Sequence, residues 1–134
     1  EIGTGSGFQA AILSAMGAKV YSVERHLELH QKTKLLLEKI DYRIILHYGD
    51  GFKGWPKYAP FDKIIVTCGA PNVPITLLDQ LKVNGMIVIP VGEKSQKMIR
   101  ITKLDEENYK EEEFGNFVFV PMLENKTRSD KTSF

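Results

Sequence analysis

Cysteine is nearly missing from this chain: Cys68 is the only one in 134 residues. An intrachain disulfide is therefore impossible, and a cysteine-rich metal site is not expected. Cys68 itself reads as a small buried hydrophobe. No apolar run approaches the roughly 20 residues that a membrane-spanning helix needs. No basic-then-apolar leader is visible, so a reducing, cytoplasmic setting is expected. An excess of one charge is also lacking, with 18 Lys and Arg against 17 Asp and Glu. That balance leaves no electrostatic footprint for nucleic acid or an anionic membrane, and neither is expected as a partner. His26, His30 and His47 fall in a loop, a helix and a strand with no ligand spacing, so no metal site is expected. No Ser, His and Asp constellation supports a nucleophilic triad. Internal repeats and low-complexity blocks are absent too.

What remains is an ordinary globular composition, 43% hydrophobic, in a chain long enough for one domain and short for two. Short β-rich runs alternate with helical ones, which predicts an α/β fold around a mostly parallel sheet. Phe8 to Met16 is alanine-rich and apolar and predicts a buried helix ended by Gly17. Lys19–Val23, Arg43–Tyr48, Lys63–Thr67 and Met86–Val91 predict strands of that sheet. Leu27 to Ile40 predicts an amphipathic surface helix, and Ile75 to Leu81 a short one. Asn84-Gly85 is a turn signal. After Gly92 the pattern changes. Met98–Leu104 and Phe117–Leu123 predict an antiparallel edge pair joined by an acidic linker. Residues 1–123 form the expected domain, and 124–134 a polar, frayed tail.

The strongest motif is Gly3-Thr4-Gly5-Ser6-Gly7 before a helix. Glycines let the backbone turn sharply and approach a ligand, and the following helix offers free N–H groups. Glu24, at the end of the next strand, is placed to accept from both hydroxyls of a ribose. Together they point to a ribose-bearing cofactor. The dinucleotide fingerprint is G-x-G-x-x-G, whereas here the third glycine comes one residue early. Glu1, just before the loop, suits a cationic ammonium or sulfonium group better than a pyrophosphate. That charge argument favours S-adenosylmethionine over NAD. Asp50, between Gly49 and Gly51, is placed to accept from the exocyclic amine of adenine, with Gly51 leaving room for the ring. Thr67, Ala70 and Pro71 end the following strand and are expected to line a substrate crevice.

These residues resemble a known family. E-I-G-T-G-S-G-F-Q-A-A is similar to the first motif of the protein-L-isoaspartate O-methyltransferases. V-Y-S-V-E-R resembles that family's second strand, G-D-G its third-strand motif, and G-W-P-K-Y-A-P-F-D-K-I-I-V-T its fourth-strand entry. The run A-P-N-V-P-I-T-L-L-D-Q-L-K-V-N-G-M-I-V-I-P-V-G follows the family pattern, and F-V-F-V-P-M resembles its C-terminal strand. The glycine loop alone indicates only a class I methyltransferase; Trp55 to Gly92 is the family-specific part. The resemblance implies a Rossmann-like methyltransferase fold. It also implies methyl transfer from S-adenosylmethionine to the α-carboxylate of L-isoaspartyl residues in damaged proteins. The ester then closes to a succinimide that reopens partly to normal aspartate. Carried over residue by residue, the cofactor positions are Gly3, Glu24, Arg25, Asp50 and Gly51, with Glu1, Gly5 and Gly7 shaping the pocket.

Three departures accompany the likeness. The family's hydroxyl-bearing substrate motif precedes the glycine loop, so no catalytic residue is assigned within 1–134. The chain is expected to lack its first strand and to be inactive as it stands. Cys68-Gly69-Ala70-Pro71 replaces the common Ala-Ala-Ala-Pro, and Val120-Pro121 is followed by Met122-Leu123 rather than by Leu. Two other readings fit the glycine loop: a class I methyltransferase with another acceptor, and a non-catalytic nucleotide-binding module such as an NAD sensor.

Overall fold

The computed structural model describes residues 1–128. They fall into two compact units, one comprising Glu1–Gly51 with the segment from Glu124, the other Phe52–Leu123.

The first unit is a βα unit. The glycine loop leads into α1 (Phe8–Ala15), followed by β1 (Val20–Glu24), α2 (Leu27–Lys39) and β2 (Ile44–Tyr48). β1 and β2 pair in parallel with Val20 opposite Ile44 and Glu24 opposite Tyr48. Ile2 adds a parallel bridge to Val23 on the other side of β1. β1 is buried at Val20, Ser22, Val23 and Glu24. α2 is amphipathic as expected and turns Thr33 and Leu37 inward. α1 is not the buried helix that its composition predicts. Only Ala10 is buried, while Phe8 and Met16 stay 73% and 78% exposed. A run of apolar residues around a short helix does not say which of them face the sheet, and here the small ones do.

The second unit contains β3 (Phe61–Ile65), α3 (Ile75–Asp79), β4 (Leu81–Val91), β5 (Gln96–Lys103) and β6 (Tyr109–Phe117). Its strands lie in chain order, β3 parallel to β4, then β4, β5 and β6 antiparallel. The core is Leu77, Leu81, Ile87, Ile89, Ile99 and Ile101, each at most 7% exposed. The change from parallel to antiparallel pairing after Gly92 follows the sequence expectation.

Three boundaries differ from it. α3 stops at Asp79, and β4 begins at Leu81, so Asn84-Gly85 lies inside a long strand rather than before one. Asn84 takes φ 66, and the β3–β4 register shifts beside it, between Phe61 and Lys63. The glycine accommodates this irregularity because a Cβ there would lie 2.8 Å from the Lys82 carbonyl oxygen. The last strand is Tyr109–Phe117 and not Phe117–Leu123. The acidic stretch expected to be a linker is itself the strand, because its carboxylates meet cations on β5. Arg100 pairs with Glu112 at 2.9 Å and Lys97 with Glu113 at 3.1 Å. Phe119 to Leu123 instead runs past the end of β3, where Gly69 exchanges backbone bonds with Val120 and Met122.

The segment after Leu123 is not frayed over its described part. Glu124 to Thr127 is bonded to the ends of β1 and β2, whereas residues 129–134 lie outside the described residues.

Candidate functional site

The glycine loop is built around Glu24. The Gly3 N–H donates to the Val23 carbonyl at 2.9 Å, which seats the loop on β1. The Glu24 carboxylate then accepts two backbone N–H bonds, from Gly5 at 2.9 Å and from His26 at 3.0 Å. Thr33 on α2 donates to the Gly5 carbonyl at 2.6 Å. The loop is thus held from both sides by side chains. Glu24 is only 4% exposed, and each of its carboxylate oxygens, which accepts one backbone bond, has the capacity to accept a second.

Two glycines of the loop have distinct reasons to be glycine. At Gly7, with φ 81, a Cβ would lie 2.7 Å from the Thr33 methyl and 3.2 Å from Leu37. Gly7 therefore lets α2 pack against the loop. At Gly5, with φ 56, a Cβ would meet nothing within 4 Å. Its requirement is conformational, and the space beside it is open to a ligand.

Glu1 forms a second carboxylate beside the loop. It accepts from Ser22 at 2.6 Å and from Gln9 at 3.0 Å, and Ser22 and Thr4 hydroxyls sit 2.6 Å apart. Among the described residues no Lys or Arg forms an ion pair with Glu1 or Glu24. Two carboxylates without a Lys or Arg partner, flanking a glycine loop, suit a ligand bearing hydroxyls and positive charge. Asp50 follows β2 and is half-buried, and its carboxylate accepts the Asn125 N–H at 3.0 Å. Gly51 is buried at the start of a short 3-10 turn.

Arg25, expected among the cofactor positions, turns its guanidinium toward the segment after Leu123. Its guanidinium donates to the Asn125 carbonyl at 2.9 Å and to the Glu124 carbonyl at 3.3 Å.

Behind these groups lie the histidines. His26 and His30 each bury an Nδ1 without a hydrogen-bond partner. Burial holds His30 below the ordinary imidazole range, reinforced by Lys34 and opposed by Glu24. Burial also lowers His47, aided by Lys126 and His30. Among the described residues no cluster of three or more His, Cys, Asp or Glu is arranged to hold a metal.

In the second unit the expected crevice residues separate. Thr67 is half-buried and Pro71 exposed, but Ala70 is fully buried. Its N–H donates to Pro90 and its carbonyl accepts from Gly92. Ala70 is therefore a buried position whose amide and carbonyl are both bonded to the backbone beside it. Cys68 is half-buried rather than a core hydrophobe.

Several residues that build the site carried no signal in the sequence. Ser22, Thr4 and Thr33 are buried hydroxyls linking Glu1, the loop and α2. Gln80 and Gln96 do similar work in the second unit. Gln80 accepts from Trp55 N–H at 2.8 Å and donates to the Lys53 carbonyl at 2.9 Å. Gln96 accepts from Phe119 N–H at 2.7 Å and donates to the Glu93 carbonyl at 3.1 Å. A Cβ on Gly54 or Gly69 would collide with these glutamines. A polar residue within an apolar strand, such as Ser22 in V-Y-S-V-E, is the one available cue.

The architecture is that of the class I methyltransferases. A solved protein-L-isoaspartate O-methyltransferase superposes with a TM-score of 0.86 at 29% identity, over 92% of this chain and 41% of its own. A putative protein-L-isoaspartate O-methyltransferase from Plasmodium falciparum, solved with S-adenosyl-L-homocysteine, shares the fold. It gives a TM-score of 0.74 at 21% identity over 92% and 64% of the two chains. The model of the protein-L-isoaspartate(D-aspartate) O-methyltransferase family matches residues 1–127, and the chain belongs to that family. It is 58% identical over 127 residues to the protein-L-isoaspartate O-methyltransferase of Flavobacterium psychrophilum, covering 94% of this chain. It is 48% identical over 124 residues to that of Cytophaga hutchinsonii, covering 92%. The chain spans 60% of the first relative's length and 56% of the second's.

Proposed function

We propose that the protein transfers a methyl group from S-adenosylmethionine to the α-carboxylate of L-isoaspartyl residues in damaged proteins. The observation that carries this reading is the pair Gly5 and Glu24: a loop with open space beside it, gripped by a buried carboxylate that keeps lone pairs for a ribose. Family membership supplies the reaction class.

In this reading Glu24 accepts from the ribose hydroxyls, and Asp50 from the exocyclic amine of adenine. Glu1 faces the cationic end, and Gly3, Gly5, Gly7 and Gly51 keep the backbone close to the ligand. When bound, S-adenosylmethionine supplies a methyl already activated by its sulfonium. The acceptor carboxylate is ionised at neutral pH and needs no general base, so little acid–base chemistry falls to the protein. Its contribution is orientation and exclusion of water, which supply most of such an acceleration. Thr67 and Pro71 are the positions of the second unit proposed to meet the acceptor.

Calorimetry separates the readings at the first step. S-adenosylhomocysteine binds and NAD does not if the site is a methyltransferase site; the reverse result identifies a nucleotide sensor. Transfer of labelled methyl to an isoaspartyl peptide, and not to its aspartyl counterpart, tests the acceptor. Equal labelling of both peptides points to a class I methyltransferase with another substrate.

A further inference from the structure

The segment Glu124 to Thr127 lies across the ends of β1 and β2. Glu124, Asn125 and Lys126 are exposed, and Thr127 is half-buried. Its attachment is polar and comes from residues flanking the proposed nucleoside site. Arg25 spans two successive carbonyls, of Glu124 and Asn125. Asp50 accepts the Asn125 N–H, and Tyr48 donates its hydroxyl to the Thr127 carbonyl at 3.1 Å. Thr127 also exchanges backbone bonds with Arg25 and Leu27 at 2.9 and 3.0 Å. Lys126 lies over the Tyr48 ring at 4.9 Å. Asn125 takes φ 63, a left-handed conformation that asparagine tolerates better than most residues.

We propose that Arg25 is a positioning residue: its guanidinium clasps Glu124 and Asn125 so that the Asn125 N–H fixes the Asp50 carboxylate for the nucleoside. Arg25 then acts on the ligand through the segment and not by touching it. A forked guanidinium meets two carbonyls at once, which an ammonium on a flexible stem does less well. The Asn125 bond orients one Asp50 oxygen, and an oriented acceptor loses less freedom when the ligand arrives. The inference rests on the reading of the first unit as an S-adenosylmethionine site.

A double-mutant cycle with S-adenosylhomocysteine as the probe tests it in the full-length protein. Arg25→Ala is expected to weaken binding about tenfold, and Arg25→Lys to restore part of the loss. In a chain ending at Leu123, Arg25→Ala is expected to change affinity less than twofold, because the partner of the arginine is already gone. Asn125→Pro serves as the second background if the shortened chain does not fold, since proline has no N–H and cannot adopt this φ. An equal loss in both backgrounds makes Arg25 a direct contact and overturns the proposal; so does no loss in the intact chain. Amide exchange reads the clasp without any ligand. Arg25→Ala is expected to speed exchange at Asn125 and Thr127 about tenfold and to leave Ser22 unchanged. Unaltered exchange at Asn125 and Thr127 overturns the clasp itself. Failure of the wild-type protein to bind S-adenosylhomocysteine instead overturns the reading beneath it.

Discussion

In the first unit the innermost positions include Thr4, Ser22, Glu24 and Thr33; in the second they are mainly Leu77, Leu81, Ile87, Ile89, Ile99 and Ile101. One unit buries hydroxyls and a carboxylate around a glycine loop, the other an aliphatic layer under an antiparallel sheet. The buried polar residues of the second unit are Gln80, Gln96 and Lys103; the glutamines fasten loops through backbone bonds, and Lys103 donates to the Leu81 carbonyl. Those of the first unit converge on one place, the carboxylates of Glu1 and Glu24 beside Gly5. The difference separates a scaffold from a site. Buried polar groups are costly unless paired, so their convergence at one loop supports the proposal that a polar ligand is received there.

The largest effects are expected at the innermost positions of the two units. Ile87→Ala should cost about 2–5 kcal/mol, whereas Ile12→Ala on the exposed face of α1 should cost under about 1 kcal/mol. Urea unfolding measures both, and equal costs would break the contrast. In the first unit Glu24→Ala removes the acceptor of two backbone donors, at about 1.5–3 kcal/mol per bond to a charged group. The same change should weaken S-adenosylhomocysteine binding at least tenfold. Calorimetry showing full affinity would remove Glu24 from the ribose.

Glycine substitutions sharpen the contrast between packing and recognition. Gly7→Ala meets the Thr33 methyl and should destabilise by about 1–3 kcal/mol. Gly5→Ala meets no atom and should cost only the about 1–2 kcal/mol of a left-handed alanine, but its methyl enters the open space and should lower ligand affinity further. Thermal melts and calorimetry on the two variants separate these losses.

The histidines predict a pH dependence confined to the first unit. Both His30 and His47 are held below the ordinary imidazole value, so the unfolded chain binds protons that the folded chain resists. Stability is therefore full above about pH 6.5, the unfolded value. It should fall as the pH drops below that value and level off below the folded pKa values. Melting temperatures across this range should show the fall, and His30→Gln with His47→Gln should flatten it. The smallest effect belongs to the sheet edge. Arg100→Ala should cost about 1 kcal/mol or less, and less still in high salt, because the pair with Glu112 is partly exposed.

Much of this was legible in the chain itself. The glycine loop, the acid ending β1, the Gly-Asp-Gly after β2 and the change of pairing after Gly92 all rest on spacing within a few residues. Such local features survive in a linear reading. The acidic β6 did not, because its charges make sense only beside Lys97 and Arg100 on the neighbouring strand. Nor did the exposure of α1, since a short apolar helix has no single inward face written in its composition.

Residue order alone determined which chemical groups stand at the strand ends: glycines with room to turn, then Glu24, then Asp50. Only the tertiary structure decided which atoms of those groups are engaged. It drew Ala70 into the core, gave the Glu24 carboxylate to the Gly5 and His26 amides, and turned the Arg25 guanidinium onto a carbonyl 100 positions away. Hydrogen bonding and burial are set by neighbours in space, and for a residue such as Arg25 those neighbours are distant in the chain.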